Sequence, residues 1–243
     1  MTHWSLFMDE SGRFGQDRGA VVAGLLVEAP LTHALGVAIK AALSLEDEGI
    51  AWPPHSWMLN GAAKLRQGES EGKVTLSKAR ATFLKRATDA EIDAFLDGAR
   101  ASIREGLGSL RERTGANVWV VGAVCDPAGP VPGTMYGQVE ADGYVDALGA
   151  VFARVTLLLR DAANPMIVET FVAERNVIHA QLGVPMKLGP LYVRQIATAV
   201  TRQIPGGDSV IFAPASVGYY ERAHPGVVAA DHVVNRLFRN VTN

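Results

Sequence analysis

An apolar run that ends in two acids constrains this chain more than any other stretch. Residues 4–15 read WSLFMDESGRFG. Strand alternation puts Ser5, Phe7 and Asp9 on one face and Trp4, Leu6 and Met8 on the other, after which Ser11 and Gly12 turn the chain. A carboxylate on a strand otherwise built for burial needs a partner or a cation, because an isolated buried anion is costly. The plain alternative is a polar strand end at Asp9 and Glu10.

A second acid of the same kind stands near the other end. Pro225 and Gly226 open a helix, a position that proline tolerates. Its apolar stripe runs through Val227, Ala230, Val234, Leu237, Phe238 and Val241, and Asp231 falls inside it. An acid on a buried helix face requires a cation or a salt bridge; His232, Asn235, Arg236 and Arg239 are the nearby candidates. A third acid lies in residues 166–173, MIVETFVA, which read as a strand with Ile167, Glu169 and Phe171 on one face. Glu174 follows at its end beside Arg175, where it serves the same site, pairs with Arg175, or caps a short helix over 177–182.

The remaining pattern is that of an α/β chain. Residues 19–27 and 117–125 are apolar runs that predict buried, internal strands, the first pairing with residues 4–9 as a hairpin. Helical spacing covers 31–48, 76–87 and 136–160, and Thr88 with Glu91 forms a capping box that starts a further helix burying Ile92, Phe95, Leu96, Ala99, Ile103 and Leu107. Residues 191–204 fit strand or helix equally, and 209–213 read as a short strand. Residues 49–72, with Trp52, Pro53, Pro54, His55 and Trp57, predict an irregular, lid-like segment with one short helical turn. His55 reads first as an exposed loop histidine and second as a ligand.

Composition sets bounds on function. The 243 residues suit one α/β domain, with a helical and loop insertion over about 49–113. A formal net charge of -2 does not advertise a nucleic-acid binder, although a local basic patch is compatible with it. The single cysteine, Cys125, excludes an internal disulfide, fits a reducing cytoplasm, and reads as a small core residue. The most hydrophobic long stretch, 21–45, is broken by Glu28, Pro30, His33 and Lys40, so no membrane span is expected. The sequence has no Gly-rich phosphate loop, zinc spacing or nucleophile elbow.

Asp-Glu-Ser-Gly after a hydrophobic strand, with an apolar strand close behind, resembles the opening of the bacterial domain-of-unknown-function family 3800. The stretch 227–238, VVAADHVVNRLF, resembles that family's C-terminal Ala-Asp helix, with Asp231 as the matching acid. The two motifs lie at opposite ends, so the resemblance spans nearly the whole chain. It implies a ribonuclease H-like fold, a mixed β-sheet flanked by α-helices. It also implies a metal-dependent nuclease acting on RNA or DNA.

In that reading Asp9, Glu10, Glu169, Glu174 and Asp231 are the catalytic set. Asp9 and Asp231 hold Mg²⁺ or Mn²⁺ together with Glu169 or Glu174, and Glu10 is a supporting acid or further ligand. Oxygen ligands with few histidines favour those hard ions over zinc. Two ions roughly 3.5–4 Å apart suit phosphodiester hydrolysis. Lys78, Lys85 and Arg86, joined by Lys64 and Arg66, are the expected phosphate-contacting residues. Arg100, Arg104, Arg111 and Arg113 are expected on an ordinary solvated face, since acids are interspersed among them. The alternative is a non-catalytic binding module of the same fold, with Asp9 and Asp231 in structural pairs.

Overall fold

A computed structural model describes residues 1–12, 19–28, 30–125, 143–173, 176–178, 185–214, 216–217 and 224–242. Alternation along residues 4–9 does produce a strand, β1 (Thr2–Gly12), which pairs antiparallel with β2 (Ala20–Glu28). Helix α1 (His33–Leu43) follows, its first turn capped by Thr32 Oγ1, which accepts the Leu35 N–H. The segment expected to be irregular holds more structure than its composition suggests. It contains a 3₁₀ turn at Ser56–Asn60 and helix α2 (Ala62–Ser70). Next come α3 (Lys78–Arg86) and α4 (Asp89–Gly108), and α4 begins at the Thr88–Glu91 capping box read from the sequence. Then follow α5 (Leu110–Thr114), β3 (Val118–Cys125), α6 (Tyr144–Leu159) and β4 (Met166–Val172). The short strands β5 (Asn176–Ile178) and β6 (Pro185–Lys187) pair antiparallel with each other. Helix α7 (Pro190–Gln203), strands β7 (Val210–Phe212) and β8 (Ser216–Val217), and helix α8 (Pro225–Thr242) complete the order.

The four long strand-like runs meet in one mixed sheet of order β3-β2-β1-β4-β7, with β8 also on β4. Strand β1 is its hinge of direction: it runs antiparallel to β2 and parallel to β4. The class is therefore α/β with a mixed sheet flanked by helices. Helices α6 and α7 cover one face, over Leu6, Met8, Val22, Leu26 and Val168. Helix α8 crosses the other face over Phe7, Val21, Ala23 and Leu25, with α1 and α4 outside it. Among the described residues no helix is long and apolar enough to cross a membrane.

Several expectations change. Among the described residues, 118–125 form an edge strand, not an internal one, with Trp119 44% and Val120 58% exposed. An apolar β-branched run reports strand propensity, not the number of neighbouring strands. The 191–204 ambiguity resolves as helix α7. The expected helix over 136–160 is seen from Tyr144, and residues 136–142 lie outside the described residues. In place of a short helix at 177–182, residues 176–178 are strand, and 179–184 are outside the described residues. On α8, Val228, Ala229, Ala230, Val233 and Val234 are buried while Val241 is 51% exposed. The buried surface is wider than one stripe because the helix packs on the sheet with one side and on α1 and the 3₁₀ turn with the other.

The start of α8 is seated by shape. A Cβ built on Gly226 would stand 2.5 Å from the Phe7 ring, so only glycine lets the helix approach the strand this closely. Phe7 stacks on Phe171 at 4.8 Å between centroids, and His224 lies over both rings. Gly226→Ala should therefore lower stability by about 1–3 kcal/mol through overpacking. Gly98→Ala, in the middle of α4 with nothing within 4 Å of the new methyl, should raise it by about 0.5–1 kcal/mol. Urea denaturation midpoints check both, and shifts of the same sign would contradict this packing.

Candidate carboxylate site

Asp9 and Asp231 come together although they belong to the first strand and the last helix. Asp9 is the next residue after Phe7 on the face of β1 that α8 covers, and it pairs in register with Ala23 of β2. Its Oδ1 accepts the Glu10 N–H at 2.8 Å. Burial raises the Asp9 pKa well above the ordinary carboxylate range, and the charges of Glu10 and then Asp231 raise it further; the Glu10 backbone hydrogen bond opposes them. The charges that act on Asp9 are thus both anionic. Among the described residues no salt bridge joins Asp9 or Asp231 to a lysine or arginine. Of the arginines that could have neutralised the pair, Arg13 and Arg175 lie outside the described residues, and Arg236 is exposed.

Asp231 is held by a different device. Its Oδ1 accepts the Ser56 hydroxyl at 2.5 Å and its Oδ2 accepts the Ser56 N–H at 3.0 Å. Next to it, His232 is buried with Nε2 2.8 Å from the Pro54 carbonyl oxygen. A carbonyl only accepts, so this ring nitrogen carries the proton. Burial keeps the His232 pKa below its usual value; Asp231 pulls the other way and the nearby His55 adds to the lowering. Two consecutive residues of α8 are therefore clasped by Pro54 and Ser56, which fixes the Asp231 carboxylate in place.

The other expected acids separate. Glu10 follows Asp9 on the alternate face of the strand and acts on it through charge. Glu169 lies opposite Ser5 in the β1–β4 register, four residues short of Asp9 along the strand. At about 3.3 Å per residue that is about 13 Å, so Glu169 does not share a cation with Asp9. Alternation identified its face correctly and left its register open. Glu174 lies outside the described residues; Ala173, which precedes it, donates its N–H to the Met8 carbonyl at 3.0 Å. Among the described residues no group of three or more His, Cys, Asp or Glu side chains is arranged to hold a metal ion. The described site is a two-carboxylate site with Glu10 beside it.

The residues expected at a basic rim lie on α2 and α3. Arg66 is taken up by Asp89 and the Ala87 carbonyl, and Lys64 bonds Gln67 on its own helix. Lys78, Lys85 and Arg86 are exposed along α3, whose contacts run to the Glu48 carbonyl and Phe95. The residues that sequence reasoning missed are Ser56 and Pro54. Ser56 is only 4% exposed, and a small hydroxyl in a Trp- and Pro-rich segment carries no signal of which distant carboxylate it will meet.

The raised Asp9 pKa has a definite sign in stability. The folded state binds this proton more tightly than the unfolded chain, so the stability it confers is present below the unfolded carboxylate value of about 4 and declines as pH rises above it. His232 acts oppositely: its folded pKa is lowered, so its contribution is lost as pH falls below about 6.5. The difference between wild type and Asp9→Asn isolates the first effect. In EDTA, Asp9→Asn should melt a few degrees higher than wild type near neutral pH, and the gap should close toward about pH 4. Thermal melts across that range check it; a gap that stays constant with pH would remove the buried like-charge pair.

No protein-family model matches this sequence, and no curated protein matches it significantly. Its functional reading rests on the chemistry of the site.

Proposed function

We propose that this chain is a divalent-metal-dependent nuclease of ribonuclease H-like fold, with Asp9 and Asp231 as its cation ligands. The observation that carries the proposal is the pairing of these two acids across the β1–α8 contact, with a third acid, Glu10, beside them and no cationic side chain engaging either of the two among the described residues. The donor set fits Mg²⁺ or Mn²⁺. Mg²⁺ is commonly held by one or two carboxylates, with waters and substrate phosphate completing its shell. The Ser56 hydrogen bonds to Asp231 are the kind of outer support that orients a ligating carboxylate. Bound there, the ion would supply charge neutralisation and polarisation for phosphodiester hydrolysis. The protein's own part is to hold Asp231 through Ser56, to place Asp9 within β1 opposite Ala23, and to keep His232 neutral on the Pro54 carbonyl. Glu10, the third acid, stands close enough to shift the proton affinity of Asp9.

A second reading has its own observation. Both Asp231 oxygens are already satisfied by Ser56, an arrangement that a non-catalytic binding module could keep for structure alone. Metal titration separates the two. Calorimetry should show Mn²⁺ binding to wild type, lost in Asp9→Asn and in Asp231→Asn, and a Tm that rises with Mn²⁺ concentration as mass action requires. Ser56→Ala should weaken that binding by about 10–100-fold, while Glu169→Gln leaves it unchanged. Both Asn variants should lose Mn²⁺-dependent cleavage of RNA or DNA by at least about a hundredfold. Wild-type protein that binds no Mn²⁺ would leave the binding module as the reading.

A further inference from the structure

On the side of α8 away from Asp9 the fold forms a half-open cavity of about 680 Å³. Its wall carries Arg100 and Arg104 from α4, Arg111 from α5, and Arg236 and Arg239 from α8, against one acid, Asp97. Ser56 and His232 also line it, so the residues that clasp Asp231 stand at its border. Its floor includes Leu25, Val118 and Val120, on the part of the sheet that α8 leaves open at the β3 edge.

The arginines are poorly neutralised from within. Arg100 is engaged by Asp97 and by the Leu59 carbonyl. Arg239 has the neutral Asn60 Oδ1 at 3.4 Å. Among the described residues no salt bridge engages Arg104, Arg111, Arg236 or Arg239. Burial, and then Arg100 and Arg236, hold the Arg239 pKa below its usual value, which is the signature of like charges gathered in a concave, partly dried space. Guanidinium groups match phosphate oxygens in a planar, bidentate way and stack on flat rings. An apolar floor beside them suits sugars and bases.

We infer that this five-arginine cavity is the binding cleft for a single strand of nucleic acid, seating its phosphates on Arg104, Arg236 and Arg239 and leading it to Asp231. The inference rests on the nuclease reading for the identity of the polyanion and goes beyond it in naming the surface. The volume lies in the range of about 300–1,000 Å³ typical of ligand sites, which admits a few nucleotides of one strand and not the girth of a duplex. The cleft replaces the α2–α3 basic residues as the substrate contact.

The test separates this cleft from the carboxylates by working without metal. Anisotropy of a short fluorescein-labelled single-stranded oligonucleotide is measured in EDTA over a salt series, with wild type, Arg104→Gln/Arg236→Gln, and Lys78→Gln/Lys85→Gln. Arg104 and Arg236 are exposed, so their double variant should melt with wild type and keep its Mn²⁺ titration. It should bind the oligonucleotide at least about tenfold more weakly, with a salt slope flatter by about 1.4 for two lost single-strand phosphate contacts. The lysine pair should bind as wild type does. Equal affinity of wild type and the arginine variant, an equal loss in the lysine variant, tighter binding of a duplex than of a single strand, or no wild-type binding up to about 100 µM would each overturn the cleft. None of these results touches the Mn²⁺ titration, so the cleft and the metal site fail or stand separately.

Discussion

Everything in this structure that resembles a site depends on the last helix lying directly on the first strand. That contact is steric before it is electrostatic. Phe7, without exposed surface, stacks on Phe171, and Gly226 lets the opening of α8 come down onto the ring. From this anchor α8 crosses toward the far end of β1, where Phe238 stands near Gly12, and in passing it sets Asp231 beside Asp9. Any side chain at 226 lifts the helix and moves the acid that it carries. The apolar packing is what makes two anions share a space they would otherwise avoid.

The segment before α2 completes the arrangement from the outer side. Pro54 takes the His232 proton donor through its carbonyl, and Ser56 gives both of its hydrogen-bond donors to Asp231. This clasp makes α8 a divider. The carboxylate pair lies toward β1, and five arginines line the space toward α4 and the β3 edge. With a formal net charge of -2, the chain separates charge by position more than by amount. Acids stand on one side of the helix and guanidinium groups on the other.

Much of this was legible from residue types, and the failures follow from physics. Asp9 and Asp231 stood out because each is an acid on an apolar element, and the fold makes them neighbours. The capping box of α4 was readable because both partners sit within one turn. Glu169 was misplaced because alternation fixes a face and says nothing of register, which here sets it against Ser5. The gathering of the arginines was hidden for a similar reason. Arg100, Arg104 and Arg111 look solvated when read along their own helices, since acids alternate with them; they become a cluster only when α8 brings Arg236 and Arg239 alongside. The edge position of β3 and the partner of Ser56 were likewise invisible, because both are properties of the assembled sheet.

The separation of the two acids along the chain has a consequence for how the protein is made. Strand β1 is synthesised well before α8, with one face already apolar and a carboxylate on that face, and the helix that covers it comes after β1 to β8. Pairings this distant carry a large loop-closure entropy and form late. The sheet and its α6–α7 side can condense while Asp9 is still hydrated. The site needs α8 in place, so a nascent chain carries neither the paired carboxylates nor the arginine-lined cavity until α8 has docked.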